Sequence, residues 1–549
     1  MGVCISKENK AKKPHRASVL LAPEVSSSSR LESVRDKFDF IKVLGYGQFG
    51  TVRQAVKKND TMSQNKKLYA IKSICKDNVK KNLESMKREL EILKLADHPN
   101  IVKLYEIYED SKYIHLVMEY CSGGDLCDYL IHKEILTEKE VSVLMRQMFS
   151  AVNHLHHLKI CHRDLKPENF LLANNSDTPE VKLTDFGMSV KFGDDKMKSM
   201  VGTPYFVAPE VLKGRYGKEC DIWSLGVFMY FLLSGHHPFK GHDLKELFLH
   251  ITKGEFSFPE KPWSKISKEA RHLIQQMLNT NPAKRISISR ALAHPWFSTL
   301  DDPNEHPPLN LEVLNSMKKF QAPSKLYQEA MKVFVRNISE ERYEELGAAF
   351  KEIDQSNTGF VTAQDIVDAM RRNGYDLLVD EIETLMKNVQ YIGGGKLNYT
   401  QFLIAALARK KIMDEEALWA VFNHFDNGHT GTISLENLKF ALIKAGCFIS
   451  DNDFEEIVKE FELKAGKNMN YEEFKEIMTC FSEENSFVMI TDEDEARGTE
   501  RRQTKRLSVR RITIRRATLN VIESTPTLET KMETIKETAA DTKNEEIKL

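Results

Sequence analysis

Cys161-His162-Arg163-Asp164-Leu165-Lys166-Pro167-Glu168-Asn169 is the stretch on which the reading of this chain turns. It sets a carboxylate (Asp164), a cation two residues on (Lys166) and an amide three beyond that (Asn169) in one short polar segment. Working outward, Gly45-Tyr46-Gly47-Gln48-Phe49-Gly50-Thr51-Val52 joins two strand-like runs, and Tyr69-Ala70-Ile71-Lys72 ends an alternating run in a cation. Asp185-Phe186-Gly187 and Ala208-Pro209-Glu210 follow. One such motif is weak evidence; five in this order are close to decisive.

Each piece suits phosphoryl transfer from a nucleotide. Glycines without Cβ atoms let backbone amides approach phosphate oxygens. Lys72 can pair with those phosphates, and Glu89, in the helical stretch Met86 to Leu95, is the candidate that fixes it. Asp164 would accept or orient the proton of an attacking hydroxyl, with Lys166 in reach of the same phosphate. Asn169 and Asp185 supply hard oxygen ligands for Mg²⁺. Such groups position reactants and stabilise charge. Taken singly, the glycines also read as a hairpin and Glu89 as part of a solvated helix face.

These residues resemble the eukaryotic protein kinase family over 38–297. The resemblance implies a two-lobed fold with ATP between the lobes. Leu44, Gly45, Gly47, Gly50, Val52 and Lys72 would line the nucleotide site together with Glu119 and Cys121 of the hinge, after Met118 at the gatekeeper position. Glu210 would pair with Arg285. Asp-Leu-Lys-Pro-Glu-Asn and Thr203 before Pro204 look like a serine/threonine kinase. Asp125 and Glu168 match acidic positions that read basic residues upstream of the target hydroxyl, so protein substrates with that pattern are expected. A pseudokinase scaffold is the alternative, though Lys72, Asp164 and Asp185 are all present. Asp194 and Asp195 read equally as standing charge near Arg163 or as a solvated loop.

A second signal is periodic. Asp354, Gln390, Asp426 and Glu462 stand 36 residues apart, and each opens a twelve-position segment with an apolar eighth position: Val361, Leu397, Ile433, Met469. A fixed period with constant phase marks an internal repeat. It resembles four EF-hands. Calcium needs six to eight oxygens and an acid at position twelve. The first loop offers Asp354, Ser356, Thr358, the carbonyl of Phe360, and Asp365 in place of the usual glutamate. Calcium or magnesium binding and plain helix packing are both open readings there. The second loop has no carboxylate at its ligand positions. The third ends in Asn437, and the fourth has Lys464 and Lys467. For these three, helix packing is the expected role. A calcium buffer fails on ligand count.

Kinase plus such a module resembles the calcium-dependent protein kinase family across about 1–480. The expected class is α+β: a two-lobed kinase fold at 38–297, then an all-α EF-hand region at 341–476. In the family the intervening segment, 298–340 here, is an autoinhibitory junction. Leu311, Leu314, and then Leu326, Ala330 and Phe334 recur on helical faces, and Lys318-Lys319 could face an acidic cleft. The module would act as an intramolecular regulator of eroded calcium sensitivity.

The ends lack core-forming pattern. Residues 1–37 read as a flexible arm in which Met1-Gly2-Val3-Cys4-Ile5-Ser6 fits N-myristoylation at Gly2, with Cys4 a candidate palmitoyl acceptor and four nearby lysines. One acyl chain anchors only marginally, so the second signal matters. Residues 477–549 read as a disordered basic and polar tail, where Lys505-Arg506-Leu507-Ser508, Arg510-Arg511-Ile512-Thr513 and Arg515-Arg516-Ala517-Thr518 repeat a basic-basic-x-hydroxyl pattern. At net charge −1, no nucleic-acid partner is expected. Eight scattered cysteines without zinc-ligand pairs suit reduced thiols, and no apolar run reaches transmembrane length. The expected location is cytoplasmic, at the cytosolic face of a membrane.

Overall fold

Five antiparallel strands form first: β1 Phe38–Gly47, β2 Gly50–Lys57, β3 Leu68–Cys75, β4 Leu104–Glu109 and β5 Tyr113–Glu119, in the order β1-β2-β3-β5-β4. They appear in a computed structural model that describes residues 33–47, 50–58, 67–79, 83–133, 136–176, 179–193, 195–300, 324–337, 344–374, 377, 379–407, 415–426, 430–444, 451–465 and 468–479. Gly2, Cys4, Asp194, residues 309–323 and the basic tail, for which the sequence suggests roles, lie outside these residues.

Lys72 occupies the middle of β3, opposite Val52 of β2 and Leu116 of β5. One glycine of the β1–β2 turn has a packing reason. A Cβ on Gly50 would sit 1.9 Å from the carbonyl oxygen of Ser73, which no side chain tolerates, whereas Gly45 faces nothing within 4 Å. The Leu83–Leu95 helix lies beside the sheet and carries Glu89.

The second lobe is helical. Thr137 and Glu140 form a reciprocal capping box that starts the Glu138–His157 helix, buried along most of its length. The Glu219–Ser234 helix is enclosed on nearly all sides and ends at Gly235, in the left-handed region at φ 71°. One continuous core joins both helices to Leu93, Leu104 and Phe186, so the lobes share apolar contacts behind the cleft.

Beyond residue 324 a separate apolar core begins. The eighth positions of the repeat meet in pairs, Val361 opposite Leu397 and Ile433 opposite Met469, each on a two- or three-residue antiparallel ladder. All four are at most 1% exposed. That is the geometry the 36-residue phase requires. The Lys325–Asn337 helix, assigned from the sequence to the junction, packs into this core through Leu326, Ala330 and Phe334 and also through Tyr327, Met331 and Val335. Apolar residues surround that helix, so it buries itself in the repeat region. No helix among the described residues is long and apolar enough to cross a membrane.

Candidate functional site

Lys72 Nζ meets Glu89 Oε1 at 2.7 Å, a part-buried pair that fixes the lysine by its helix neighbour. Across the cleft, Asp164 is 6% exposed and both of its oxygens are engaged. Thr203 Oγ1 donates to Oδ1 at 2.8 Å, Asn169 Nδ2 donates to Oδ2 at 3.2 Å, and Lys166 Nζ lies 3.1 Å from Oδ2. Asn169 Nδ2 also donates to the Asp164 carbonyl at 2.7 Å, which closes the loop on itself. A backbone bond from Thr184 N to the Asn169 carbonyl (2.9 Å) then brings Asp185 to the same place. Asp185 is exposed to solvent, at φ 62°. Phe186 behind it is buried edge-on against His162, with ring centroids 5.4 Å apart.

Arg163 (φ 72°) and Asp185 are non-glycine residues in the left-handed region, a strain of about 1–3 kcal/mol each that the surroundings must hold. The holder of the first is Asp221, which the sequence reading passed over. Its Oδ2 accepts from His162 N (2.9 Å) and His156 Nε2 (2.9 Å), and its Oδ1 from Arg163 N (2.8 Å). Burial opposes ionisation of Asp221, but the His156 hydrogen bond and the backbone amides hold its carboxyl below the usual range. The signal available in sequence was an acid at the start of an otherwise apolar helix, Cys220-Asp221-Ile222-Trp223. Glu210 and Arg285 make the expected pair, bidentate at 2.5 and 2.9 Å. Arg163 donates to the Met188 carbonyl (2.6 Å) and to Tyr216 (3.2 Å) instead of meeting the exposed Asp195.

Leu44 is 40% exposed at the cleft edge of β1, Val52 lies on β2, Glu119 ends β5, and Cys121 packs on the shared core. The oxygens of Asn169 and Asp185 form a donor set that suits a hard cation such as Mg²⁺.

In the first repeat loop, Asp354 Oδ1 accepts from Thr358 N (3.0 Å), Ser356 Oγ (3.1 Å) and Thr358 Oγ1 (3.3 Å), while Oδ2 accepts from Gly359 N (2.6 Å). Burial pushes the Asp354 carboxyl up to about 6 despite these bonds. The Phe360 carbonyl accepts from Thr358 Oγ1 (3.1 Å), and Asp365 closes a capping box on Thr362. All five candidates therefore lie on one compact loop whose oxygens suit calcium or magnesium. In the second loop, Gln401 at position twelve spends its amide on Asn398 N and the Ile392 carbonyl, both at 3.0 Å.

The first loop also touches the helical lobe, a contact that no sequence motif signals. Asn153 Nδ2 donates to the carbonyls of Asn357 (2.6 Å) and Ser356 (3.3 Å). His154 Nδ1 donates to the Thr358 carbonyl (3.0 Å), and its ring lies 5.0 Å from Phe360 and 5.1 Å from His98. Lys351 bridges to Glu180 at 2.6 Å, and Thr400 accepts and donates around Asp97 and Lys103.

Residues 38–297 match the protein kinase domain family, and 343–407 match the EF-hand domain pair. The chain is 37% identical over 474 residues to calcium-dependent protein kinase 33 of Arabidopsis thaliana, covering 86% of this chain and 88% of that protein. It is 36% identical over 460 residues to calcium-dependent protein kinase 19 of Oryza sativa subsp. japonica (83% and 85% covered) and 37% identical over 451 residues to calcium-dependent protein kinase 2 of Zea mays (81% and 86%).

Proposed function

We propose, for a chain that belongs to the calcium-dependent protein kinase family, that Asp164 takes the proton of a serine or threonine hydroxyl as that oxygen attacks the γ-phosphate of ATP. The protein is a serine/threonine kinase with a C-terminal EF-hand regulatory region, and its kinase domain uses ATP with Mg²⁺. The observation that carries the reading is the set of bonds on Asp164. Thr203 and Asn169 aim its carboxylate, and Lys166 beside it can follow charge onto the transferring group. Lys72, fixed by Glu89, would hold the nucleotide phosphates, and the backbone of Leu44 to Val52 would cover them. Asn169 and Asp185 would hold magnesium, which neutralises phosphoryl charge when bound. Transfer of labelled phosphate to an arginine-rich peptide, compared between wild type and Asp164→Ala, tests this; equal rates would overturn it.

Three finer readings belong to the same proposal. Substrates carry basic residues upstream of the hydroxyl, because Asp125, Asp128 and Glu168 converge: Asp125 bridges Leu171, two residues past Asn169, and the helix carrying Asp128 packs on the turn carrying Glu168. Calcium control is shallow, resting on the first loop alone, because Gln401 and Asn437 replace acids at position twelve of the second and third loops and Lys464 and Lys467 stand in the fourth. A steep, complete calcium activation curve would refute it. Gly2 and Cys4 carry acyl chains that place the protein at the cytosolic face of a membrane; an unchanged membrane fraction in Gly2→Ala would count against that.

A further inference from the structure

Two cysteines that phosphoryl transfer leaves unused lie in contact beside the Asp164 loop. Cys161 Sγ and Cys220 Sγ are 3.6 Å apart, although 59 residues separate them in sequence. Cys161 is fully buried in the two-residue strand Ile160–Cys161, which pairs with Val190–Lys191. Cys220 is 3% exposed in the first turn of the Glu219–Ser234 helix. Each stands one residue before a group that holds the loop. Cys161 precedes His162, whose N donates to Asp221 Oδ2 at 2.9 Å, and Cys220 precedes Asp221 itself. Cys75, Cys121 and Cys127 are partly exposed by contrast.

The two sulfurs are not equivalent. Burial pushes the Cys161 thiol well up, and its hydrogen bond with Cys220 adds to the rise. For Cys220 the bond to Cys161 favours the thiolate, and burial together with the Asp221 charge outweighs it. Cys220 is therefore the readier of the two to react. It also lines the small cleft walled by Asp164, Thr203 and Val207, which gives a small oxidant a way in. Raised thiols react slowly, so the pair stays quiet in reducing surroundings. Once oxidised, however, Cys220 has a resolving thiol already in contact. A sulfenic acid there condenses with Cys161 instead of climbing to the sulfinic acid. A disulfide needs its sulfurs at about 2.05 Å, a closure of about 1.5 Å from the observed contact.

We propose that Cys161 and Cys220 form a reversible disulfide with a peroxide-class oxidant, and that this bond switches off phosphoryl transfer; the second half rests on the kinase reading above. Peroxide passes an oxygen to the Cys220 sulfur, giving a sulfenic acid and one water. The Cys161 sulfur attacks that sulfur, the S–O bond breaks, and hydroxide leaves with the Cys161 proton as a second water. The two thiols lose two electrons and two protons in all, and a dithiol returns them by exchange. Closure draws the Ile160–Cys161 strand toward the helix. The Asp221 bonds to His162 N and Arg163 N, at 2.9 and 2.8 Å, are already at ordinary length and cannot shorten with it. The loop at Arg163, held at φ 72°, tilts instead, and Asp164 turns with it. The Cys220 carbonyl also accepts from Ser224 Oγ (3.2 Å), and the same hydroxyl donates to the Phe206 carbonyl (2.8 Å), so the segment after Thr203 shifts too. A displacement of about 1 Å at reacting groups costs on the order of 10²-fold in rate. Lys72 and Glu89 lie in the other lobe and keep the nucleotide site.

The test uses the full chain, reduced with dithiothreitol, freed of it, exposed to hydrogen peroxide and quenched with catalase. One half is blocked with a maleimide and digested without reductant for mass mapping. The other is assayed on an arginine-rich peptide across ATP concentrations. The expected map shows one linked pair of peptides, holding Cys161 and Cys220 and lighter by two hydrogens than their sum. Its rise should track a fall in kcat of at least about tenfold, with KM for ATP unchanged within about twofold, and dithiothreitol should restore kcat. Cys161→Ala and Cys220→Ala each remove one sulfur, and should keep most of the reduced activity and resist peroxide. The map is read on wild type, so it stands even where a variant fails to fold. Oxidation confined to Cys75, Cys121 or Cys127 would overturn the disulfide. A linked pair with unchanged kcat, or variants that peroxide inactivates as it does wild type, would overturn the switch. A reduced wild type that transfers no phosphate would overturn the kinase reading and the switch with it, while the map would still decide the disulfide.

Discussion

The cleft and the EF-hand region keep different things. In the cleft the candidate reactive side chains are present, and the central ones are held by others: Lys72 by Glu89, Asp164 by Thr203 and Asn169, the loop backbone by Asp221. The EF-hand region keeps its apolar eighth positions, paired and buried, while cations, glycines and amides have replaced acids at ligand positions. Packing and metal chemistry place separate demands on a helix–loop–helix pair, so one survives without the other. Loops one and three show the boundary. Asp354 and Asp426 accept the same three bonds, from N and Oγ1 of the threonine at position five and from N of the glycine at position six. An acid at position one therefore has a structural use in the loop even without an ion.

The largest effect separates the two regions outright. On the proposed role of Asp164, Asp164→Ala should lower kcat by about 10³-fold while leaving the thermal midpoint nearly unchanged, since the side chain is not part of the apolar core. Circular dichroism melts beside phosphotransfer rates check this. A large drop in midpoint would mean that the cleft, too, is held by its active residues. Next comes Phe402→Ala in the EF-hand core. Phe402 is fully buried and packs 5.3 Å from the Phe350 ring, so truncation should cost about 3–5 kcal/mol and remove the EF-hand transition from the melt.

How much of this was legible follows from what each signal depends on. The residues that meet in the cleft were legible because short motifs set them at fixed offsets, and the repeat because its phase is strict. The contact of loop one with the Glu138–His157 helix could not. Asn153 and His154 stand in a mostly buried helix and read as satisfied core polar residues, and their partners lie about two hundred residues away. Asp221 was missed for a related reason: it serves backbone amides, and amides carry no sequence signature.

That unforeseen contact has a pH dependence of smaller size. His154 donates through Nδ1, and its Nε2 is buried without a hydrogen-bond partner, so protonation there would bury a bare charge. Burial first holds His154 down to about 4. The Thr358 carbonyl and Asp97 pull the other way, His157 and Lys396 push with burial, and the His98 ring lies alongside. The folded value is below the unfolded one near 6.5, so stability is full above 6.5 and falls as pH drops toward 4. Asp354 has the opposite sign. Its folded value, about 6, exceeds its unfolded one near 4, so acidification through 6 stabilises the metal-free loop. Between pH 7 and 5.5 each contributes about 1 kcal/mol, with opposite signs. In chelator, His154→Asn, which keeps a donor for Thr358 and cannot titrate, should gain stability on acidification. Asp354→Asn should lose it. Thermal midpoints at the two pH values decide, and parallel slopes in the two variants would sink the assignment.

The smallest effect bears on whether lost ligands can be restored one at a time. Gln401→Glu returns the position-twelve acid to the second loop. It takes away the Nε2 donor that holds the Ile392 carbonyl at 3.0 Å and keeps the acceptor for Asn398 N, so the expected cost is about 0.5 kcal/mol, a drop of a few degrees in the EF-hand melt. No calcium site should appear with it. Position one would still be Gln390 and position three Ile392, leaving one carboxylate where a hard dication needs several oxygens, and Lys396 in the same loop adds an opposing charge. Isothermal titration with calcium should give the same stoichiometry for Gln401→Glu and wild type. A gained site would mean that the loop backbone is still shaped for an ion and that its erosion is one residue deep.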